Sequence, residues 1–302
     1  MQPTQKSKRR FVPYKLISPA FLVVFTLSAY CLFWLISISM SSWRFGAPIE
    51  SAAFVGLGNY KWLLFSKDSL FWVSLKTTTI YTLGTVTAQL LLGLLIALLF
   101  NRIRYGRALY TALLLIPMVL MPSMVGLVAR MYFYDKGLVN YFVELIAGMR
   151  VNWASTNYAL ISAMLVDIWE YTPFFIVILS AGMQALPQDV YEAARMDGSG
   201  GAHLFFCITL PLLRPLIITA LVLRLMESLR IFDVIYTMYA GGPGTATTTL
   251  PLLIYRQTMV AHNAGTGSAI SILLILIIFV LSLVLMFMFE RARKTLSEGE
   301  GQ

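Results

Sequence analysis

Acidic residues are scarce in this sequence: Asp and Glu together number 14 in 302 residues, and all charged residues make up only 12%. A soluble domain carries roughly 25% charged residues. With 58% hydrophobic residues and a mean hydropathy of +0.76, a water-soluble fold is excluded. Cysteine is nearly absent, with Cys31 in an apolar run and Cys207 in a polar stretch far along the chain. A disulfide framework is therefore not indicated, and both read as ordinary small residues. The two histidines, His203 and His262, have no partner at metal-ligand spacing, so no metal site is expected. A G-x-x-x-x-G-K-[ST] phosphate loop is also missing, so the chain is not equipped to bind and hydrolyse ATP by itself. Low-complexity segments and internal repeats are lacking too.

What is present is a series of long apolar runs, at about residues 16–40, 73–100, 108–133, 158–183, 212–239 and 268–289. Each has the roughly 20 residues needed to cross the hydrocarbon. The first is too long for the apolar core of a signal peptide and has no small-residue cleavage site after it. The reading is an all-α polytopic membrane protein of six transmembrane helices, one membrane domain over residues 1–302.

The net charge of +9 lies in short clusters beside these runs rather than in an aromatic-interleaved stripe, so no nucleic-acid partner is expected. Lys6, Lys8, Arg9, Arg10 and Lys15 precede the first span. Arg102, Arg104 and Arg107 follow the second, Arg195 and Arg214 lie between the fourth and fifth, and Arg291, Arg293 and Lys294 follow the sixth. The alternate loops are longer but poorer in basic residues, and Glu50, Asp68, Asp135 and Glu144 partly offset them. Basic residues collect on the cytoplasmic side, which places both termini there. In the first outer loop, Gly58-Asn59-Tyr60 reads as a turn into a short helix whose Tyr60 and Trp62 suit the membrane interface.

The loop over residues 183–214 is the most specific segment. Residues 186–198 read LPQDVYEAARMDG and residues 208–211 read ITLP. Asp189 followed by Glu192 has capping-box spacing, and Gly198 is a natural helix stop. Short helices are expected over about 190–196 and 202–209, with Pro211 leading into the fifth span.

The pattern EAA, three residues, G, nine residues, I, one residue, LP is similar to the EAA loop of ABC importer permeases, and all named positions match. The resemblance implies the type I ABC importer permease fold, with a core region over residues 73–289, in a bacterial inner (cytoplasmic) membrane. It further implies that this loop docks on a separate cytoplasmic ATPase. Glu192 would be the charged contact, Ala193 and Ala194 the small residues of close approach and Gly198 the turn. Asp189, Asp197, Ile208, Leu210 and Pro211 would complete the coupling set. No cofactor would be bound by this chain, since ATP and Mg would sit on the ATPase.

A second resemblance lies in residues 230–243, RIFDVIYTMYAGGP, in residues 250–255 and in residues 267–270. These look like the carbohydrate branch of the permeases, on the MalF side, although the chain lacks the extra spans and large periplasmic insertion of MalF itself. The implied partners are a second, MalG-like permease, two ATPase subunits, a periplasmic or lipid-anchored solute-binding protein and the lipid bilayer. The implied cargo is a sugar, oligosaccharide, polyol or glycerol phosphate. An importer of another solute, and an ATP-independent channel or secondary carrier, are the alternatives.

Ionisable residues inside spans are costly and usually face the bundle interior or a water-filled path. Arg224, Glu227, Arg230 and Asp233 follow one another at steps of three with alternating sign. Such a row pairs along one helix, and it either ties the fifth span to its neighbours or lines the route of a polar solute. Asp167 and Glu170, flanked by Trp169 and Tyr171, present carboxylates and aromatic faces suited to a sugar, or to a polar inter-helix contact. Pro173 is expected to loosen the fourth span, and Pro117 and Pro122 to kink or break the third.

Overall fold

The structure, a computed structural model, describes residues 8–101, 103 and 105–299, with side chains over residues 18–287. Lys6, Arg102 and Arg104 lie outside the described residues, as do the side chains of Lys8, Arg9, Arg10, Lys15, Arg291, Arg293 and Lys294.

The described residues are helical apart from loops and two isolated bridges, Ser41 with Phe54 and Arg44 with Asn263. In chain order the helices are α1 (Lys8–Ser39), α2 (Gly58–Phe65), α3 (Phe71–Phe100), α4 (Arg107–Val119), α5 (Pro122–Tyr132) and α6 (Leu138–Ala147). There follow α7 (Ala159–Gln184), α8 (Gln188–Met196), α9 (Gly201–Ser228), α10 (Asp233–Tyr239), α11 (Leu250–Tyr255) and α12 (Ala264–Gly299). Among the described residues, five helices are long and apolar enough to cross a membrane: α1, α3, α7, α9 and α12. The pair α4 and α5, bent by 88° between Val119 and Pro122, makes the sixth span. The break falls where Pro117 and Pro122 predict it, since proline removes a ladder donor and clashes with the preceding turn. Pro173, by contrast, sits inside an unbroken α7.

Two compact units can be distinguished. The first comprises the described residues up to Ser69 together with Ile254–Leu273. Here Asn59 Nδ2 donates to the carbonyls of Ser39 and Ser41, at 2.8 and 2.9 Å. It thereby satisfies acceptors left open where α1 ends. The Tyr60 hydroxyl meets Ser39 Oγ at 2.7 Å, so Tyr60 ties the loop inward, while the half-exposed Trp62 keeps an outward position.

The second unit comprises Leu70–Leu253 and the residues from Leu274 onward. Its centre is the long contact of α3 against α7. Lipid is as apolar as a leucine side chain, so packing and polar contacts rather than expulsion of water join such helices. Accordingly α3 turns inward a polar stripe of Ser74, Thr78, Thr82, Thr85 and Gln89, and leaves Ile80, Leu83, Leu91, Leu95 and Leu99 outside. Two of the stripe's hydroxyls bond their own helix, Thr78 Oγ1 to the Ser74 carbonyl at 2.7 Å and Thr85 Oγ1 to the Tyr81 carbonyl at 2.9 Å. Gly93 lets the backbones approach, because a Cβ there would run into Phe175. Below it, Val86, Ala97, Phe175, Leu179, Met183, Leu213 and Ala220 form one buried apolar cluster.

Candidate functional site

Two polar constellations stand out in the second unit. The first is buried at mid-span. Arg224 on α9 is 1% exposed and Asp167 on α7 is fully buried. Arg224 Nη2 donates to Asp167 Oδ1 and Oδ2 at 2.7 and 2.6 Å, and Arg224 Nε donates to Gln89 Oε1 on α3 at 2.9 Å. Gln89 Nε2 then donates to the Asp167 carbonyl and to Oδ2, both at 2.9 Å. The Tyr171 ring closes over the guanidinium, with Cζ 4.0 Å from its centroid, a favourable cation–π placement. Three spans thus meet through one charge pair and one amide, and the arrangement supplies the partners a buried ion requires. Gln89 carries no charge, so ionisable residues alone do not point to it, although its place in the hydroxyl stripe of α3 is a usable signal.

The expected ladder along one helix does not form. α9 ends at Ser228, and α10 begins at Asp233. Only Arg224 and Glu227 remain in register, with Nη1 and Oε2 at 3.5 Å, and Glu227 is about half exposed at 49%. Arg230, exposed in the break, turns Nε back to the Met226 carbonyl at 3.3 Å. Asp233 is exposed in the first turn of α10, where a carboxylate suits the helix dipole. Trp169 also departs from expectation. At about 100° per residue it points about 160° away from Asp167 and Tyr171 around α7 and about 100° away from Glu170. There it is 54% exposed and lines an apolar groove of about 530 Å³ with Leu120, Met124, Val128, Tyr132 and Leu165.

Glu170 is fully buried, yet neither of its carboxyl oxygens has a hydrogen-bond partner, and the hydroxyl of buried Tyr81 on α3 is likewise unpaired. A buried polar group without a partner costs about 1–3 kcal/mol. Tyr81 lies on the same inward stripe as Gln89.

The second constellation is the 183–214 loop. α8 starts two residues earlier than the capping-box spacing implies: Pro187 is its N-cap, with no side-chain cap bond. Asp189 therefore stands inside the first turn and acts there as a charge near the helix N-terminus. α8 ends in a Schellman pattern. Gly198 adopts φ +81°, its amide donates to the Arg195 carbonyl at 3.0 Å, and the Ser199 amide donates to Ala194 at 3.0 Å. That left-handed position is costly for any residue but glycine.

Glu192, Ala193 and Asp197 are exposed and Ala194 is half-exposed. Among the described residues Glu192 forms no ion pair. The expected second short helix is instead the beginning of α9. It runs unbroken from Gly201 to Ser228, with a wider π turn over Leu204–Thr209, so that Ile208, Leu210 and Pro211 lie half-buried within it. The Tyr191 hydroxyl meets Thr209 Oγ1 at 2.7 Å and pins α8 to α9. A cleft of about 440 Å³ opens beside this joint, lined among others by Asn101, Gln184, Gln188, Glu192 and Arg195.

Comparison with known proteins places this geometry. Residues 89–297 match the family described as the binding-protein-dependent transport system inner membrane component. The trehalose/maltose transport system permease protein MalF of Thermococcus litoralis is 40% identical over 227 residues, 74% of this chain and 75% of its own length. The sulfoquinovosyl glycerol transport system permease protein SmoG of Agrobacterium fabrum is 36% identical over 268 residues, 86% of this chain and 84% of its own. Among solved structures, a chain of a bacterial alginate ABC transporter, in complex with an alginate pentasaccharide-bound periplasmic protein, superposes with a TM-score of 0.80. It has 20% identity and covers 95% of this chain and 96% of its own. A chain of the MetNI methionine ABC transporter superposes with a TM-score of 0.54 and 16% identity, over 75% of this chain and 99% of its own. These two likenesses show the ABC importer permease fold.

Proposed function

The chain belongs to the binding-protein-dependent transport system inner membrane component family, a multi-pass inner-membrane component of transport systems, and from that membership we propose that it forms half of the pathway of an ATP-driven carbohydrate importer. The transport systems to which the relatives belong, for trehalose/maltose and for sulfoquinovosyl glycerol, support a saccharide cargo. Its partners are a second permease, two ATPase subunits that carry ATP and Mg, and an external solute-binding protein. Both termini and the 183–214 loop face the cytoplasm, residues 1–302 act as one permease with its core over 73–289, and no cofactor is held by the chain.

The observation that carries the coupling role is the exposed α8, whose Glu192 forms no ion pair among the described residues, pinned by Tyr191 to the first turns of a helix that ends beside Arg224. At about 1.5 Å per residue, the 28 residues of α9 form a lever about 42 Å long. Closure of the ATPases would push α8, and α9 would carry the displacement to the Asp167–Arg224 cluster as a population shift between two states. In that cluster Arg224, Asp167 and Gln89 serve as the joint. Glu170, Tyr171 and Glu227, with Arg230 and Asp233 at the helix break, are the groups a hydroxylated solute would meet. Trp169, turned into the apolar groove, leaves this set.

Reconstitution of the chain with its partner subunits tests the proposal. Substrate-stimulated ATP hydrolysis and uptake that both vanish in a Glu192→Lys variant with intact assembly are expected. Uptake that continues without any ATPase subunit would instead identify a stand-alone carrier.

A further inference from the structure

Arg107 is the first residue of α4 and stands between the end of α3 and the end of α7. Its half-buried guanidinium donates through Nη2 to Ser180 Oγ at 2.9 Å, and among the described residues it has no carboxylate within ion-pair distance. A guanidinium carries five N–H donors in a fork that matches a phosphate. The other polar groups nearby are occupied: the Thr111 hydroxyl donates to the Arg107 carbonyl at 2.9 Å, and Gln184 Nε2 donates to the Ser180 carbonyl at 2.8 Å. Gly106, the N-cap of α4, supplies no side-chain bond, so the first-turn amides of a 13-residue helix add positive potential at the same point.

A cavity of about 140 Å³ lies against this cation, and its remaining wall includes Phe100, Leu114, Ile176 and Val177. The exposed surface of α4 continues apolar through Leu109, Leu113 and Ile116, each more than half exposed. The site is at the same end of the helices as α8, since α7 closes at Gln184 and α8 opens at Gln188. An unneutralised cation at the end of two spans, with an apolar wall running from it toward the membrane centre, is complementary to a group that is anionic at one end and a hydrocarbon at the other.

We propose that Arg107 and the cavity between α4 and α7 bind the phosphate of an anionic phospholipid in the leaflet on the side of the 183–214 loop. The bound headgroup would seat the start of α4 against Ser180. A free phosphate would use the same fork but leave the apolar wall uncovered.

The test uses the full chain in nanodiscs containing phosphatidylglycerol and phosphatidylethanolamine in equal parts, followed by native mass spectrometry of retained lipid. The wild type should keep phosphatidylglycerol over phosphatidylethanolamine. Arg107→Gln should lower that preference about five-fold, in line with the usual worth of one basic residue at an anionic surface, and Arg107→Lys should keep part of it. Ala181→Phe, which fills the cavity without touching the charge, should lower it too, and provides a second arm if the Arg107 variants fold poorly. No lipid preference in the wild type, or an unchanged preference in Arg107→Gln and Ala181→Phe, would overturn the assignment. Binding of inorganic phosphate without a phosphatidylglycerol preference would also overturn it, in favour of a soluble anion.

Discussion

Arg224 on α9 and Asp167 on α7 are joined at 2.7 and 2.6 Å in the interior of the second unit, each with 1% or less of its side chain exposed. Gln89 completes the contact from α3. Removing one side of a buried pair strands the other charge, at a cost of roughly 3–5 kcal/mol, against a typical total stability of about 5–15 kcal/mol. Asp167→Asn and Arg224→Met should therefore each lower the melting temperature in detergent and reduce the amount of protein in the membrane. The double change Asp167→Leu with Arg224→Met should recover part of the loss, because no uncompensated charge is left. Single variants as stable as wild type would show that the pair carries no structural load.

Glu170 is predicted to behave in the opposite way. Its carboxyl oxygens are buried without donors, so Glu170→Gln removes no hydrogen bond present in this conformation. The variant should melt within a degree or two of wild type, since no hydrogen bond of this conformation is lost, while uptake of the carried solute falls. A destabilised Glu170→Gln variant with normal specific uptake would mean that the carboxylate has a structural partner and no part in the pathway.

For the 183–214 loop the decisive change is Glu192→Lys. Glu192 is exposed and forms no ion pair among the described residues, and substitutions at such positions leave folding nearly unchanged. Membrane insertion and melting should match the wild type, whereas ATP hydrolysis stimulated by substrate should disappear. Full activity in the Lys variant would remove Glu192 from the coupling contact.

Placement of the loop is checked with Cys207, which is exposed on the first turns of α9 with Sγ 3.6 Å from His203 Nδ1. Cys31 is also exposed and must first be changed to Ser. A membrane-impermeant thiol reagent should label Cys207 in inside-out vesicles and not in right-side-out ones, and binding of the ATPase subunits should slow the reaction. Labelling in right-side-out vesicles would reverse the orientation proposed for the whole chain.

Gly198 offers a stability test independent of any partner. Its φ of +81° lies where an L-residue with a Cβ pays about 1–2 kcal/mol, so Gly198→Val should fray the end of α8. Faster proteolysis at residues 196–200 is the expected readout, with little change in the melting of the membrane helices.

Much of this molecule is determined by local chemistry. A run of apolar residues long enough to cross the hydrocarbon must satisfy its backbone internally, so the six spans follow from composition alone. The break at Pro117 and Pro122 and the stop at Gly198 follow from the backbone freedom of those residue types. Which side chains meet across spans was not legible, because residues far apart in sequence are brought together only when the helices pack. Sequence spacing suggested that Arg224, Glu227, Arg230 and Asp233 pair with one another. The packed structure ends α9 at Ser228 and gives Arg224 to Asp167 and Gln89, 57 and 135 positions away. The same holds for Trp169, adjacent in sequence to Glu170 but turned about 100° from it around α7 by the helical repeat, and for Arg107, whose hydroxyl partner Ser180 lies 73 positions away. Hydropathy and turn chemistry act over a few residues and need only the chain. A buried ion selects its partner by distance and by exclusion of water, and both exist only once three helices have closed around it.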